Sequence, residues 1–367
     1  MLPAHLHPDW LVRWRPRGRP CAAQGLVALL GLVLCAAGCT AIGQRSPAGQ
    51  SPQELPAHCK YTITQAGDVP RALEAVSAGD TVCFSGGDLP DAEIRMTRSG
   101  SAAAPIRLAS DGATVRSIEI SADHVIVEGF TIANGDGVVL KGTGITARNN
   151  TVRDTEQSGI MCDPCTEAIL ESNTITHVAT AGIWVSGQRI TVHANTIRNT
   201  VAHDSDADGI RFFGNGHRIT NNTITDISAQ GYDTAPHPDC FQTYDDNRPP
   251  TFHVVISGNQ CRNVDAQCLI ATGDQSGNSD APSDSPSIIF ENNVCANNGA
   301  QGINLRRWPN AHILHNTFTG SNMTRGVLII HGSTGTAVLG NTTNGSPIVD
   351  IDRSSRPGSH IDDNTPP

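Results

Sequence analysis

An asparagine returns along this chain with an apolar residue two positions later, and that recurrence constrains the fold more than any other feature. The triplets are Asn150-Thr-Val152, Asn173-Thr-Ile175, Asn195-Thr-Ile197, Asn222-Thr-Ile224, Asn259-Gln-Cys261, Asn293-Val-Cys295 and Asn316-Thr-Phe318. Their spacings are 23, 22, 27, 37, 34 and 23 residues, and Gly129-Phe130-Thr131 is expected to fill the same slot one turn earlier. A second marker, a small residue then a large apolar one, keeps step: Gly159-Ile160, Gly182-Ile183, Gly209-Ile210, Cys240-Phe241, Cys268-Leu269, Gly302-Ile303 and Gly326-Val327. A unit of about 22 residues that holds short β-type runs and no helix is one coil of a β-solenoid. A leucine-rich repeat has a similar period, but its leucine ladder is missing. Composition agrees. The 36 glycines and 22 prolines exclude an all-helical chain, and 4% aromatic residues leave a core of small aliphatics. A net charge of −10, with Lys60 and Lys141 as the sole lysines and no basic patch, argues against a nucleic-acid partner.

Coils stack about 4.8 Å apart, so the repeating asparagine is expected to form a ladder of amides along the axis. The pattern resembles the right-handed parallel β-helix of the pectate-lyase-like superfamily over residues 58 to 350. Asp68 to Asp80 is similar to that family's amphipathic capping helix, and Gly100-Ser-Ala-Ala-Ala-Pro105-Ile106 to its lead-in to the first coil. The expected fold is therefore all-β: one right-handed parallel β-helix behind an N-terminal capping helix. The boundaries read as cap and first coil 58–114, β-helix 115–350 and flexible tail 351–367.

Upstream, Arg13, Arg15, Arg17 and Arg19 precede an apolar run from Gly25 to Leu34 and a small-residue exit. That order reads as a secretory signal over 1–38, too short to span a bilayer. Leu34-Cys35-Ala36-Ala37-Gly38-Cys39 resembles a bacterial lipoprotein cleavage box, with Ala36 where that family prefers leucine. The resemblance implies lipidation at Cys39, a flexible tether over 39–57, and a protein held on the outer face of a membrane by lipid alone. A secreted protein is the alternative. An exported chain keeps disulfides. Stacked slots suggest Cys240–Cys268 and Cys261–Cys295, proximity suggests Cys162–Cys165, and Cys59–Cys83 remains across the cap.

Segment lengths locate a face. The long insertions fall between Asn195 and Gly209, Asn222 and Cys240, Cys240 and Asn259, and Cys268 and Asn293. All flank the strand that follows the small-apolar marker, so a groove walled by loops is expected beside it. Alternation points Met161, Trp184, Arg211, Gln242, Ile270, Asn304 and Leu328 outward on that strand. Trp184, Tyr232, Tyr244 and Trp308 fall on this face or its loops, and flat aromatic faces suit sugars. Trp184, Tyr244, Asn304, Arg306, Arg307 and Trp308 are the expected substrate-binding residues.

The densest polar cluster, His203-Asp204-Ser-Asp206-Ala-Asp208-Gly-Ile-Arg211, is followed one coil later by His237-Pro-Asp239-Cys-Phe-Gln242. Asp208 and Asp239 share a slot, should stack, and are expected with Arg211 and Gln242 on one exposed face. Stacked carboxylates repel unless one is protonated or a cation intervenes. Calcium could bridge Asp206, Asp208 and Asp239. The pair could instead supply a glycosidase acid and base. Or the cluster is a solvated, hydrogen-bonded loop. Asp206-Ala-Asp208-Gly-Ile and Pro238-Asp239-Cys240 resemble the polygalacturonase pattern, but Pro238 replaces one of its aspartates and no Gly-His-Gly or Arg-Ile-Lys follows. A lyase needs a base and a cation at a uronate carboxylate, for which Arg211 and His237 are placed. The leading expectation is a monomeric enzyme on uronate-containing polysaccharide, most readily a lyase, with Asp208, Arg211, His237, Asp239 and Gln242 read from the cluster and its register as the catalytic set. A non-catalytic glycan-binding or envelope β-helix is the alternative, and a hydrolase using Asp208 and Asp239 the third reading.

Overall fold

The computed structural model describes residues 54–365 apart from 204–205, 246 and 274–283. The signal, Cys39, most of the tether and Asp204 lie outside the described residues. After the helix Val69–Ala75, which starts with a proline in its first turn, the chain winds into a parallel β-solenoid. Each turn contributes up to three short strands. The first lies in a thirteen-stranded sheet from Tyr61–Ile63 to His360–Asp362 among the described residues. The second follows the asparagine, as in Thr174–Val178 and Thr223–Ile227. The third follows the small-apolar marker, as in Ala181–Gln188, Asp208–Asn215, Phe241–Tyr244, Leu269–Thr272 and Gln301–Arg306.

The asparagine ladder forms. The backbone N–H and Nδ2 of Asn173 both donate to Asn195 Oδ1 at 2.9 Å, and Asn173 Nδ2 also donates to the Ala147 carbonyl. The same unit repeats through Asn222, Asn259, Asn293, Asn316 and Asn341 to Asn364. Each rung satisfies backbone groups that the turn leaves unpaired. The residue before each rung adopts a left-handed conformation, from Asn149 (φ 54°) to Asp363 (φ 52°), which explains why asparagine and glycine gather there. At the N-terminal end Phe130, not Gly129, holds the asparagine's place: its N–H donates to Asn150 Oδ1, and Ile132 pairs with Val152. The last turn also corrects an expected boundary. Strands Val349–Ile351 and His360–Asp362, with Asn364 on the ladder, continue the solenoid through the residues read as a flexible tail, because the rung pattern recurs there.

The core is a continuous column of Ile, Val, Leu and Phe closed at the marker by small residues. A Cβ at Gly159 would stand 2.6 Å from Ile175 Cγ2, and one at Gly209 2.7 Å from Ile224 Cγ2. The marker slot therefore faces, across the inside of the solenoid, the apolar residue two positions after the next asparagine along the chain. This geometry corrects two disulfides. The bridges are Cys240–Cys261 and Cys268–Cys295, with Cα atoms 6.1 and 5.8 Å apart, each within one coil. The stacking itself is as expected, since Cys261 pairs with Cys295 in register and Phe241 N–H donates to the Cys268 carbonyl. Stacked side chains point the same way, however, and a disulfide needs Cβ vectors that converge. Cys59–Cys83 and Cys162–Cys165 are bridged as expected.

Candidate functional site

Parallel register builds the outward column of the third strand position by position. Met161 pairs with Trp184, Trp184 with Arg211, Arg211 with Gln242, Gln242 with Ile270, Ile270 with Asn304, and Asn304 with Leu328. Two residues further along the strand a second outward column runs through Tyr244, Thr272 and Arg306. The strand ends at Arg306. Arg307 turns through a left-handed conformation (φ 49°), alternation is lost, and Trp308 swings inward. Trp308 is fully buried, so it is a core residue and not a sugar platform.

At the start of these strands the Asp/Arg/His cluster assembles. Arg211 Nε donates to Asp208 Oδ2 at 2.5 Å, and the Asp239 backbone N–H donates to Asp208 Oδ1 at 2.9 Å. Asp239 repeats the arrangement one coil on: Oδ1 accepts the Gln267 backbone N–H at 2.7 Å, and Oδ2 meets His237 Nδ1 at 3.0 Å. Asp206 Oδ1 accepts the His237 backbone N–H at 2.9 Å. Asp208, Asp239 and Arg211 thus come together as the shared slot requires. Their carboxylates do not face outward, though: both aspartates are fully buried and Arg211 nearly so. A carboxylate one residue before a glycine or cysteine marker is turned in over the coil's corner, where only backbone N–H groups and a partner cation reach it.

Burial pushes the Asp208 carboxyl up to about 7 against the pull of Arg211, with Asp239 and Asp206 adding repulsion. Asp239 is raised in the same direction by burial, against the pull of His237. The Asp239 carboxylate in turn raises His237 to about 9. The calcium expectation fits this donor set poorly. All four oxygens of Asp208 and Asp239 already accept from a backbone N–H or face a cationic side chain, which leaves none directed at a bridging ion. Among the described residues, no cluster of three or more His, Cys, Asp or Glu has metal-binding geometry. Of the expected catalytic residues, His237 alone reaches the surface appreciably, with 32% of its side chain exposed. Gln242 lies in the outward column, largely covered.

The insertion after Tyr244 does not stand beside the face as a wall. It crosses it. Arg248 sits 4.9 Å from the Trp184 ring centroid and 5.2 Å from that of Phe213, and Asp163 lies 4.0 Å from its guanidinium. Phe213 packs against Trp184 at 5.2 Å and against Tyr244 at 4.8 Å. Trp184 is therefore 7% exposed, covered by its own chain. Phe213 was legible in principle, since it stands two residues after Arg211 and alternation turns it outward. Arg248 lies in an insertion with no register and left no such signal. Tyr244, Asn304 and Arg306 are half-buried on the expected face, and Arg307 is exposed beside it. His217, which carried no functional reading, is a core histidine: Ile190 N–H donates to Nδ1, Nε2 donates to the Phe213 carbonyl, and burial lowers it to about 4.

A family model described as a right handed beta helix region matches residues 109–235 and 136–343. No curated protein matches the sequence. Among solved structures, an alginate lyase from Paenibacillus sp. is similar at 14% identity and a TM-score of 0.51, covering 80% of this chain and 98% of that one. The catalytic unit of a thermostable α-1,3-glucanase from Streptomyces thermodiastaticus aligns at 12% identity and a TM-score of 0.58, over 86% of this chain and 70% of that one. The A-module of a mannuronan C-5 epimerase from Azotobacter vinelandii aligns at 14% identity and a TM-score of 0.52, over 83% and 95%. At such identities the likeness is one of fold.

Proposed function

The chain belongs to the right-handed β-helix family, and from that premise we propose that it is an exported protein acting on acidic polysaccharide by β-elimination. The observation that carries the reading is the His237–Asp239 pair, a partly exposed imidazole backed by a buried carboxylate at the edge of the outward face. Elimination passes the proton beside a uronate carboxylate to water or hydroxide at the exposed face, breaks the bond from the neighbouring carbon to the glycosidic oxygen, and gives that oxygen a proton from His237. Asp239 keeps His237 charged up to about pH 9, so at neutral pH His237 serves as the cation and acid, giving its proton to the departing oxygen. Arg306 and Arg307 stand further along the face as cations for uronate carboxylates. Three neighbouring folds that act on glycans support a carbohydrate-active role.

A non-catalytic glycan-binding protein is the second reading, favoured by one observation: the oxygens of Asp208 and Asp239 are already engaged within the protein. The same fact makes a hydrolase that uses this pair the reading with least support. Four disulfides among the described residues support an oxidising, extracellular location, and no helix among those residues is long and apolar enough to cross a membrane. Anchoring through a lipid on Cys39 belongs to the same proposal, and Cys39→Ala should then release the protein to the medium. The central test is incubation with a panel of polyuronates, with and without a chelator, reading absorbance of unsaturated ends and reducing ends together. Both signals are expected, unchanged by the chelator. Reducing ends alone would mean hydrolysis, and binding without products would mean the second reading.

A further inference from the structure

We infer that Arg248 is the residue that recognises the carboxylate of an acidic sugar on this face, through a guanidinium that sits over the Trp184 and Phe213 rings. The inference rests on the reading of the ligand as an acidic polysaccharide. Two arginines flank the Trp184 ring, and they differ in every respect that matters to a ligand. Arg211 lies 5.5 Å from the ring centroid, is bonded to Asp208 and has 6% of its side chain exposed. Arg248 has 34% exposed, and among the described residues the carboxylate of Asp163 stands 4.0 Å from it, beyond hydrogen-bond distance.

A cation–π contact with a ring uses none of a guanidinium's N–H donors as hydrogen bonds to oxygen. Those groups form the fork that matches a carboxylate in a bidentate pair. Because the guanidinium already packs over two aromatic rings, less side-chain freedom remains to be lost on binding. The chain carries a net charge of −10, so a polyanion needs a local cation to approach at all. Arg248 is such a cation, next to Tyr244 through their shared contact with Phe213. Arg211 cannot take the role while Asp208 holds it.

The test uses the full exported chain, a uronate oligosaccharide and a neutral oligosaccharide of equal length, with binding read by calorimetry and cleavage by absorbance. Arg248→Gln should weaken uronate binding about tenfold to a hundredfold, the usual cost of deleting a charged hydrogen bond, and leave neutral binding unchanged. Arg248→Lys should recover part of the loss, since a point charge neither stacks nor forks. Asp163→Asn removes the carboxylate that competes for the same group and should tighten uronate binding about two- to fivefold, the scale of an exposed ion pair. This variant keeps the inference testable if Arg248→Gln folds poorly. Uronate binding unaltered in Arg248→Gln, or not tightened in Asp163→Asn, overturns the inference and leaves the elimination reading standing. Loss of binding in Arg248→Gln with no cleavage by either protein supports the inference and overturns elimination. A wild-type protein that binds no uronate overturns both.

Discussion

Two stacks of polar side chains climb the same solenoid, and their chemistry gives them different lengths. The asparagine stack runs from Asn150 to Asn364. The aspartate stack has two members, Asp208 and Asp239, in a slot that holds Ala181 in the coil before and Gln267 in the coil after. An amide both donates and accepts, so each rung completes the next and no charge accumulates. A carboxylate only accepts. Each rung therefore adds a buried negative charge, and a second one is tolerated because Arg211 and His237 stand beside the pair. A ladder that can repeat builds the rod. A ladder that cannot repeat marks the place where charge is concentrated, and there the candidate site lies.

Breaking the charged stack should have the largest effect. At pH 9, above the range in which Asp208 titrates, Arg211→Leu leaves Asp208 buried against Asp239 without its cation and should cost about 3–5 kcal/mol in denaturant unfolding. Asp208→Leu on top of it should restore most of the loss, because the stranded charge goes too. A loss under about 1 kcal/mol for Arg211→Leu would mean that Asp208 simply takes up a proton, and the contrast between the stacks would collapse. Breaking the neutral stack should cost somewhat less. Asn222→Ala leaves the Asn195 N–H without its acceptor and the Val192 carbonyl without its donor, about 2–4 kcal/mol in the same assay.

A graded effect is expected on pH dependence. Asp208 is held near 7 rather than 3.8, so its contribution is complete below about pH 4 and is lost as pH rises through about 7. His237 is held near 9 rather than 6.5, so its contribution is complete below about pH 6 and is lost as pH rises through about 9. The melting temperature should fall from pH 5 to pH 9 in two overlapping steps. Asp208→Asn should shrink the lower step to the part Asp239 contributes, and His237→Gln should remove the upper one. A melting temperature that rises with pH over this range would reverse the sign assigned to both groups.

How much of this was legible in the sequence depends on how tightly the backbone repeat governs each residue. The outward column from Met161 to Leu328 follows from alternation alone, and the structure reproduces it position by position. The disulfides were misread because distance along the stack satisfies the bridging window as well as distance across the coil does. The signal was nonetheless present. In the two coils where the marker glycine becomes Cys240 or Cys268, the facing apolar residue becomes Cys261 or Cys295 as well. Asp208 and Asp239 were placed correctly next to each other but with the wrong orientation, since a slot before the strand obeys the turn and not the alternation. Arg248 and the course of its loop depend on contacts across three coils, which no local pattern records.

The within-coil bridges also bear on how this rod would respond to a pull on its ends. No covalent link joins the coils of Cys240–Cys261 and Cys268–Cys295 to each other beyond the chain itself, so coils could peel away one after another under load. Each bridge, however, closes a ring that force cannot open, with Cys261 21 residues beyond Cys240 and Cys295 27 beyond Cys268. Those rings would withhold about 7 and 9 nm of extended chain from a mechanical trace, and a reductant would release both lengths.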